Sequence, residues 1–300
     1  MKVAAIVGPT AVGKTEVSLD LAEALGAEIV SVDSMQVYRG MDVGTAKPAR
    51  ADMERVRHHL VDLRDPDYEL TVAEFQELGR IAIDDIAARG KLPLLVGGSG
   101  LYFRALVDDL VFPPRSDEVR RELEATAEEL GSAALYERLR EADPVAAGRI
   151  EPGNARRIVR ALEVIELTGA PFSANVTWER YESRYELTIA GLERDRDELV
   201  ARIDDRVEAM LAAGLVEEAE RVGKAGAGRT ARQALGYRQI FEAEAGAGLQ
   251  DEISRATRRY ARRQLSWFKA DPRVEWFDAA EPSLAPRLVA FFRSALALPL

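Results

Sequence analysis

Near its start the chain carries a short unbroken apolar run, "VAAIV" at residues 3–7, followed by a polar glycine-rich turn. Val17, Leu21, Ala24 and Leu25 then recur at three- and four-residue steps, and Gly26 comes after them. The run predicts a buried strand, and the recurrence predicts one face of a helix that the glycine ends. "AEIVSVD" supplies a second strand. Further on, "IAIDDIAARG" has the helical period, "LPLLV" is again strand-like, and "GGSG" turns the chain into a helix over "LYFRALVDDL". Strands alternating with helices through glycine-rich turns predict an α/β fold with a parallel sheet core flanked by helices.

The double proline Pro113–Pro114 closes this stretch, and the helical period then holds from about residue 116 to about residue 180, through "DEVRRELEATAEEL", "ALYERLREADPVAAGRI" and "NARRIVRALEVIELTG". "YELTIAGLE" restores the strand pattern. The simplest arrangement is an α/β core of residues 1–115 and 183–300, ending in basic helices, with an all-helical domain of residues 116–182 inserted into it. "GKAGAGRTARQALGYRQ" reads as a mobile glycine-rich connection leading into the basic helix. The tail "PRLVAFFRSALALPL" is too short and too charged to span a bilayer and predicts a packed terminal helix. No internal repeat interrupts the pattern.

With 47% hydrophobic residues in 300, the chain has enough apolar side chains for one large domain or two smaller ones. It has no apolar run of about 18 residues, and its first lysine leads directly into a strand pattern without a signal-like segment, so a cytoplasmic protein with no membrane partner is expected. The absence of cysteine excludes disulfides, thiolate zinc sites and cysteine nucleophiles. A net charge of −10 argues against a nucleic-acid partner. That charge is segregated, however: residues 255–269, "RATRRYARRQLSWFK", contain no acid, while "ELEATAEELGS" is strongly acidic. Arg255, Arg258 or Arg259, and Arg262 recur at three- and four-residue steps and draw one basic helical face, which either meets RNA or pairs with acidic segments in solvent. Tyr260 and Trp267 on the same segment suit base stacking or core packing.

Candidate chemistry begins with "GPTAVGKT". Gly8, Gly13, Lys14 and Thr15 satisfy the phosphate-loop pattern, after a strand and at the opening of a helix as that pattern requires. The glycines let backbone N–H groups converge on an anion at a helix N-terminus, Lys14 adds a point charge, and the Thr15 hydroxyl suits a magnesium ion. A nucleotide triphosphate is the usual ligand of such a loop, so nucleotide or ATP binding is one expectation. Asp33 follows the second strand, where open α/β sheets place their ligands. It would hold magnesium there or accept a proton from a nucleophile beside the phosphates. His58 and His59 are adjacent and show no third ligand, so no metal site is expected there.

"GPTAVGKT", "SVDSMQVYRGMDVGTAKP", "HHLVD", "LLVGGSGLYFRAL", "RRIVRALEV", "ALGYRQ" and "TRRYARRQLSWFK" stand in this order along nearly the whole chain. In these motifs the sequence resembles the bacterial tRNA dimethylallyltransferases. The resemblance implies that the loop holds the diphosphate of dimethylallyl diphosphate, and that the prenyl group passes to N6 of adenine 37 in the tRNA anticodon stem-loop. Gly8, Pro9, Thr10, Ala11, Val12, Gly13, Lys14, Thr15 and Arg206 would then bind diphosphate, with magnesium as cofactor on Thr15. Asp33 would take the amino proton, and Thr10 would contact the departing oxygen. Asp33, Ser34, Met35 and Gln36 would meet the flipped adenine. Ser99, where relatives often carry threonine, and Arg120 would contact tRNA, as would Arg156, Arg157 and Arg160. Gln233, Gly236, Tyr237 and Arg238 complete the implied tRNA contacts together with Arg258, Arg259, Arg262, Arg263 and Gln264. A monomer is expected. The rival readings are a small-molecule kinase using ATP, a prenyltransferase acting on free adenine nucleotide, and a phosphate-loop RNA-binding protein without catalysis.

Overall fold

A computed structural model describes residues 1–175, 180–242 and 248–298 of the chain. The chain runs through β1 (Lys2–Val7), α1 (Lys14–Leu25), β2 (Ala27–Val32), α2 (Arg50–Arg55), β3 (His58–His59), α3 (Val72–Ala88), β4 (Leu92–Gly97) and α4 (Gly100–Val107). A helical stretch follows, α5 (Asp117–Leu130), α6 (Ser132–Ala142), α7 (Pro144–Ala147) and α8 (Ala155–Thr168). The chain then continues with β5 (Glu186–Glu193), α9 (Arg196–Ala212), α10 (Leu215–Lys224), α11 (Arg229–Arg232), α12 (Tyr237–Glu242), α13 (Leu249–Lys269), β6 (Val274–Asp278) and α14 (Leu284–Ala295).

The strands form one parallel sheet in the order β3-β2-β4-β1-β5-β6. "VAAIV" lacks a two-residue alternation because both of its faces are covered: Val3, Ala5 and Val7 enter one hydrophobic cluster, and Ala4 and Ile6 enter the other. Helix α1 packs on β2, β4 and α14, so its buried stripe is wider than one sheet contact would require. Val17, Ser18, Leu19, Leu21 and Ala22 are buried, whereas Ala24, drawn into the apolar face by its spacing, is exposed. Helix α14 buries Leu284, Leu288 and Phe292.

The strand order positions the site. β1 is separated from β2 by β4, and Val7 and Val32 are both in register with Gly97. The segments leaving β1, β2 and β4 therefore emerge side by side at the carboxyl edge of the sheet. Gly97 is glycine for want of room, since a Cβ there would strike the Val32 carbonyl oxygen.

The described structure divides into two compact units, Met1–Asp108 with Tyr181–Leu300, and Asp109–Arg180. The second has its own core of Leu123, Leu135, Leu139, Ile158 and Leu162. Its first residues precede the boundary drawn at the prolines, because Arg160 donates to the carbonyls of Pro113 and Pro114 and ties them to the helices. Tyr181 belongs to the first unit, where its ring lies under the guanidiniums of Arg104 and Arg273. The glycine-rich segment 223–239 is not a loose connection. Ala227, Ala231, Ala234 and Tyr237 are buried in the main cluster, and the segment forms α11 and the start of α12. Its small residues permit close packing rather than motion. Among the described residues no helix is long and apolar enough to cross a membrane.

Candidate active site

A cavity of about 800 Å³ opens at the carboxyl edge of the sheet, within the usual size of ligand pockets. Its floor is the loop from Gly8 to Thr15. Gly8 adopts φ +149° and lies against β5, where a Cβ would come 2.6 Å from the Leu192 carbonyl oxygen. Gly13 has open space around it but caps α1 at φ +111°, a conformation that disfavours side chains. Ala11 is held at φ +64° without being glycine. The Nε of Arg202 on α9 donates to the Ala11 carbonyl at 2.9 Å and supports that conformation. Thr10, Ala11, Val12, Gly13, Lys14 and Thr15 line the cavity. Gly8 and Pro9 stand behind them, with their carbonyls accepting from Lys14 Nζ at 3.0 and 2.7 Å.

Charge is concentrated around this floor. Lys14, Asp33, Arg202 and Arg206 face the cavity together. Burial pulls the Lys14 pKa down to about 7; Arg206 lowers it further and Asp33 opposes. The carboxyl of Asp33 is pushed above the ordinary range by burial, against the pull of the Met35 N–H, Lys14 and Arg206. Burial likewise lowers Arg206, with Asp33 raising it. The site thus holds more positive charge than one carboxylate balances, an arrangement suited to a multiply charged anion.

Asp33 follows β2 directly, and its Oδ1 accepts from the Met35 N–H at 2.8 Å. Ser34, Met35 and Gln36 line the same wall. Gln36 is turned inward: its Oε1 accepts from the Ser31 hydroxyl, and its Nε2 donates to the carbonyls of Thr45 and Ala46. The loop beyond it hangs on Glu218 of α10, whose carboxylate accepts from the N–H groups of Asp42, Val43 and Gly44 and from the Tyr237 hydroxyl at 2.5 Å. Sequence reasoning missed Glu218, which sits in a charged helix like a solvent-facing acid. Arg202 was also missed, although it stands one helical turn before Arg206 on the same face of α9.

Tyr237 is therefore a core residue and not an RNA-contacting one. It is 0% exposed, its ring abuts Gly44, and its hydroxyl is held by Glu218. Gly236 turns the chain at φ +89° beside it, with its N–H donated to Gln239 Oε1, and lies off the cavity. Gln233 and Arg238 do line the cavity, and Arg238 also pairs with Glu242 at 3.0 Å.

Helix α13 presents Ala256, Arg259, Tyr260, Arg263 and Gln264 to the cavity. Of the face drawn through Arg255, Arg258 or Arg259, and Arg262, only the Arg259 alternative lines the cavity. Arg258 forms an ion pair with Asp204 of α9 at 2.6 Å, and Arg255 Nε donates to the Asp251 carbonyl of its own helix. Arg262 is exposed and off the cavity. The reason is packing: α13 lies on α9, and the face nearest α9 takes the arginine that an acid there can neutralise. Ser99 caps the start of α4, is buried, and is hydrogen-bonded with the Tyr260 hydroxyl, whose pKa burial pushes up to about 12.

In the helical unit, Arg120 and Arg160 both donate to Glu163, which is 0% exposed and also accepts from the Ser116 N–H. Arg156 and Arg157 are exposed on the first turn of α8, whose N-cap is Asn154.

A family profile described as IPP transferase matches residues 36–271. The chain is 50% identical over 303 residues to a tRNA dimethylallyltransferase of Nocardioides, an alignment covering 98% of this chain and 96% of that relative. Among solved structures, the full-length tRNA isopentenylpyrophosphate transferase of Bacillus halodurans is 41% identical with a TM-score of 0.74, covering 99% of this chain and 97% of that one. A eukaryotic dimethylallyltransferase, solved acting on tRNA, is 26% identical with a TM-score of 0.83, covering all of this chain and 80% of that one.

Proposed function

The chain belongs to the IPP transferase family, and we propose that it transfers the dimethylallyl group of dimethylallyl diphosphate to N6 of adenine 37 in tRNA, releasing diphosphate. It is a transferase that modifies tRNA. The observation that carries the reading in residue terms is the meeting of Asp33 with the phosphate loop and Arg206 around one cavity.

The loop and Arg206 bind the diphosphate. As the allylic C–O bond breaks, its electron pair goes to the departing diphosphate oxygen, and the N–H groups of residues 11–15, the Lys14 ammonium and the Arg206 guanidinium stabilise the charge that develops there. N6 of adenine forms the new C–N bond, and the proton it loses goes to the carboxylate of Asp33, which burial makes a stronger base than an ordinary carboxylate. The Met35 N–H on Oδ1 fixes the orientation of that carboxylate. Thr10, on the loop and facing the cavity, supplies a hydroxyl for the departing oxygen.

The oxygen donors of the site fit a magnesium ion shared with the substrate. Among the described residues no group of three or more His, Asp or Glu side chains forms a closed metal site, while the Thr15 hydroxyl lines the cavity beside the diphosphate floor. Thr15 would hold the ion beside the diphosphate, and the ion would supply neutralisation of the leaving charge. Adenine reaches an enclosed site only after leaving its stack in the anticodon loop. Arg259 and Arg263 are exposed on α13 and line the cavity, which supports a role for them in meeting the surrounding RNA phosphates.

Parallel incubations with radiolabelled dimethylallyl diphosphate test the reading, one with tRNA as acceptor and one with AMP and ADP. Label on tRNA alone is the expected result. Label on the free nucleotides alone would assign the acceptor wrongly, and phosphoryl transfer from labelled ATP without prenyl transfer would make the protein a kinase.

A further inference from the structure

We propose that Gln264 is a positioning residue for the phosphate loop, reaching from α13 across Gly98 to hold the Thr10 peptide in its place. The proposal rests on the prenyl-transfer reading and gives α13 a second task within it.

Gln264 is 6% exposed, although it lies among arginines on a helix whose outer faces are in solvent. Its Oε1 accepts from the Thr10 N–H at 2.9 Å, across 254 residues of sequence. The amide passes over Gly98, where a Cβ would strike its Nε2 and would also come 3.0 Å from the Gly8 carbonyl oxygen. Three residues along α13, Trp267 lies in the same way over Gly100. The glycines of "GGSG" are therefore a seat for α13: they admit the helix closely enough for one carboxamide to touch the phosphate loop. Tyr260 closes the seat, hydrogen-bonded with the side chains of Ser99 and Gln264.

A carboxamide suits this place chemically. It accepts from a backbone N–H of the loop without bringing negative charge beside the diphosphate. Fixing the Thr10 peptide fixes the hydroxyl expected at the departing oxygen. The helix that presents Arg259 and Arg263 to the cavity is thereby joined by one hydrogen bond to the loop that holds the other substrate.

The test compares Gln264→Ala, Gly98→Ala and the double variant. The readouts are kcat with both substrates saturating, KM for dimethylallyl diphosphate, and Kd for a tRNA anticodon stem-loop. Each single substitution is expected to lower kcat by about tenfold to a hundredfold, because a displacement of about 1 Å at a reacting group has effects of that size. The stem-loop Kd should stay within about twofold, since the altered group is buried and touches the loop. The double variant should lose less than the two single losses combined, because the methyl added at position 98 then occupies space that the carboxamide has left and only its approach to the Gly8 carbonyl remains. Should Gln264→Ala unfold the protein, Gln264→Met keeps the volume, removes the acceptor and carries the same expectation. A weakened stem-loop Kd with unchanged kcat would make Gln264 an RNA contact and overturn the proposal. So would Gly98→Ala turning over at the parental rate, or fully additive losses in the double variant. A parent protein inactive on tRNA would instead overturn the functional reading, which separates the two failures.

Discussion

Replacing Asp33 with asparagine separates binding from chemistry. The amide keeps the size of the carboxylate and still accepts from the Met35 N–H that Asp33 Oδ1 accepts from at 2.8 Å, so the wall of the cavity should hold its shape. What disappears is the proton acceptor for adenine N6. Loss of a general base costs about 10²- to 10⁴-fold, or about 2.7 to 5.4 kcal/mol of barrier at 1.36 kcal/mol per decade. The same substitution removes a negative charge that faces the cationic floor. Asp33 raises the pKa values of both Lys14 and Arg206, so without it Lys14 falls further below its parental value of about 7. At pH 6 the parent's Lys14 is largely charged and bound diphosphate recharges it in the variant, so diphosphate should bind the variant about as well as the parent, since a like charge has left the site. Single-turnover transfer to tRNA, measured from pH 5 to 9 beside calorimetric titration with pyrophosphate, reads both effects. The parent should lose activity as pH falls through the raised pKa of Asp33, because the base must be unprotonated, and the variant should lack that limb. Parental turnover by Asp33→Asn, or loss of pyrophosphate binding in step with turnover, would refute the assignment.

Three further outcomes follow from the geometry. Lys14 is depressed to about 7, and bound diphosphate restores its charge, so binding at pH 8 should take up about one proton. Titrations in buffers of different ionisation enthalpy read this directly, and affinity should fall as pH rises above 7; no proton uptake would contradict it. Tyr237→Phe, which removes a buried hydroxyl from Glu218, should lower stability by about 1 to 3 kcal/mol in denaturant melts while leaving stem-loop affinity unchanged; a selective loss of RNA binding would return Tyr237 to the interface. Arg259→Ala and Arg263→Ala should each lower the salt slope of stem-loop binding by about 0.7 to 0.9, whereas Arg258→Ala, already neutralised by Asp204, should leave it unchanged; the reverse pattern would restore the face drawn through Arg258.

The parts of the site legible in the sequence are those written by local rules. A phosphate loop between strand and helix, and an acid directly after the next strand, need only the chain order to place them at one sheet edge. The strand order adds what the sequence lacks, the shared register of Val7 and Val32 on Gly97 that brings the two segments level. The face of α13 was not legible because arginines at 255, 258, 259, 262 and 263 allow several stripes at helical spacing, and the choice among them depends on Asp204 of another helix. Segment 223–239 reads as flexible by its glycines, yet its alanines and Tyr237 are packed against a core assembled from distant elements. Glu218 carries no local signal, being an acid on an amphipathic helix identified only by the backbone N–H groups it reaches, and Gln264, singled out in the sequence only through the resemblance as a tRNA contact, shows its bond to the Thr10 N–H only in the structure.

The central claim is tested most directly by nucleoside mass spectrometry, with fragment mapping, of unmodified tRNA incubated with the protein, magnesium and dimethylallyl diphosphate. The account predicts adenosine carrying one dimethylallyl group on N6, confined to the fragment containing adenine 37, and none with Asp33→Asn over the same time. Recovery of tRNA without prenylated adenosine from a folded parent protein that binds pyrophosphate, or prenylation spread over other adenines, would contradict it.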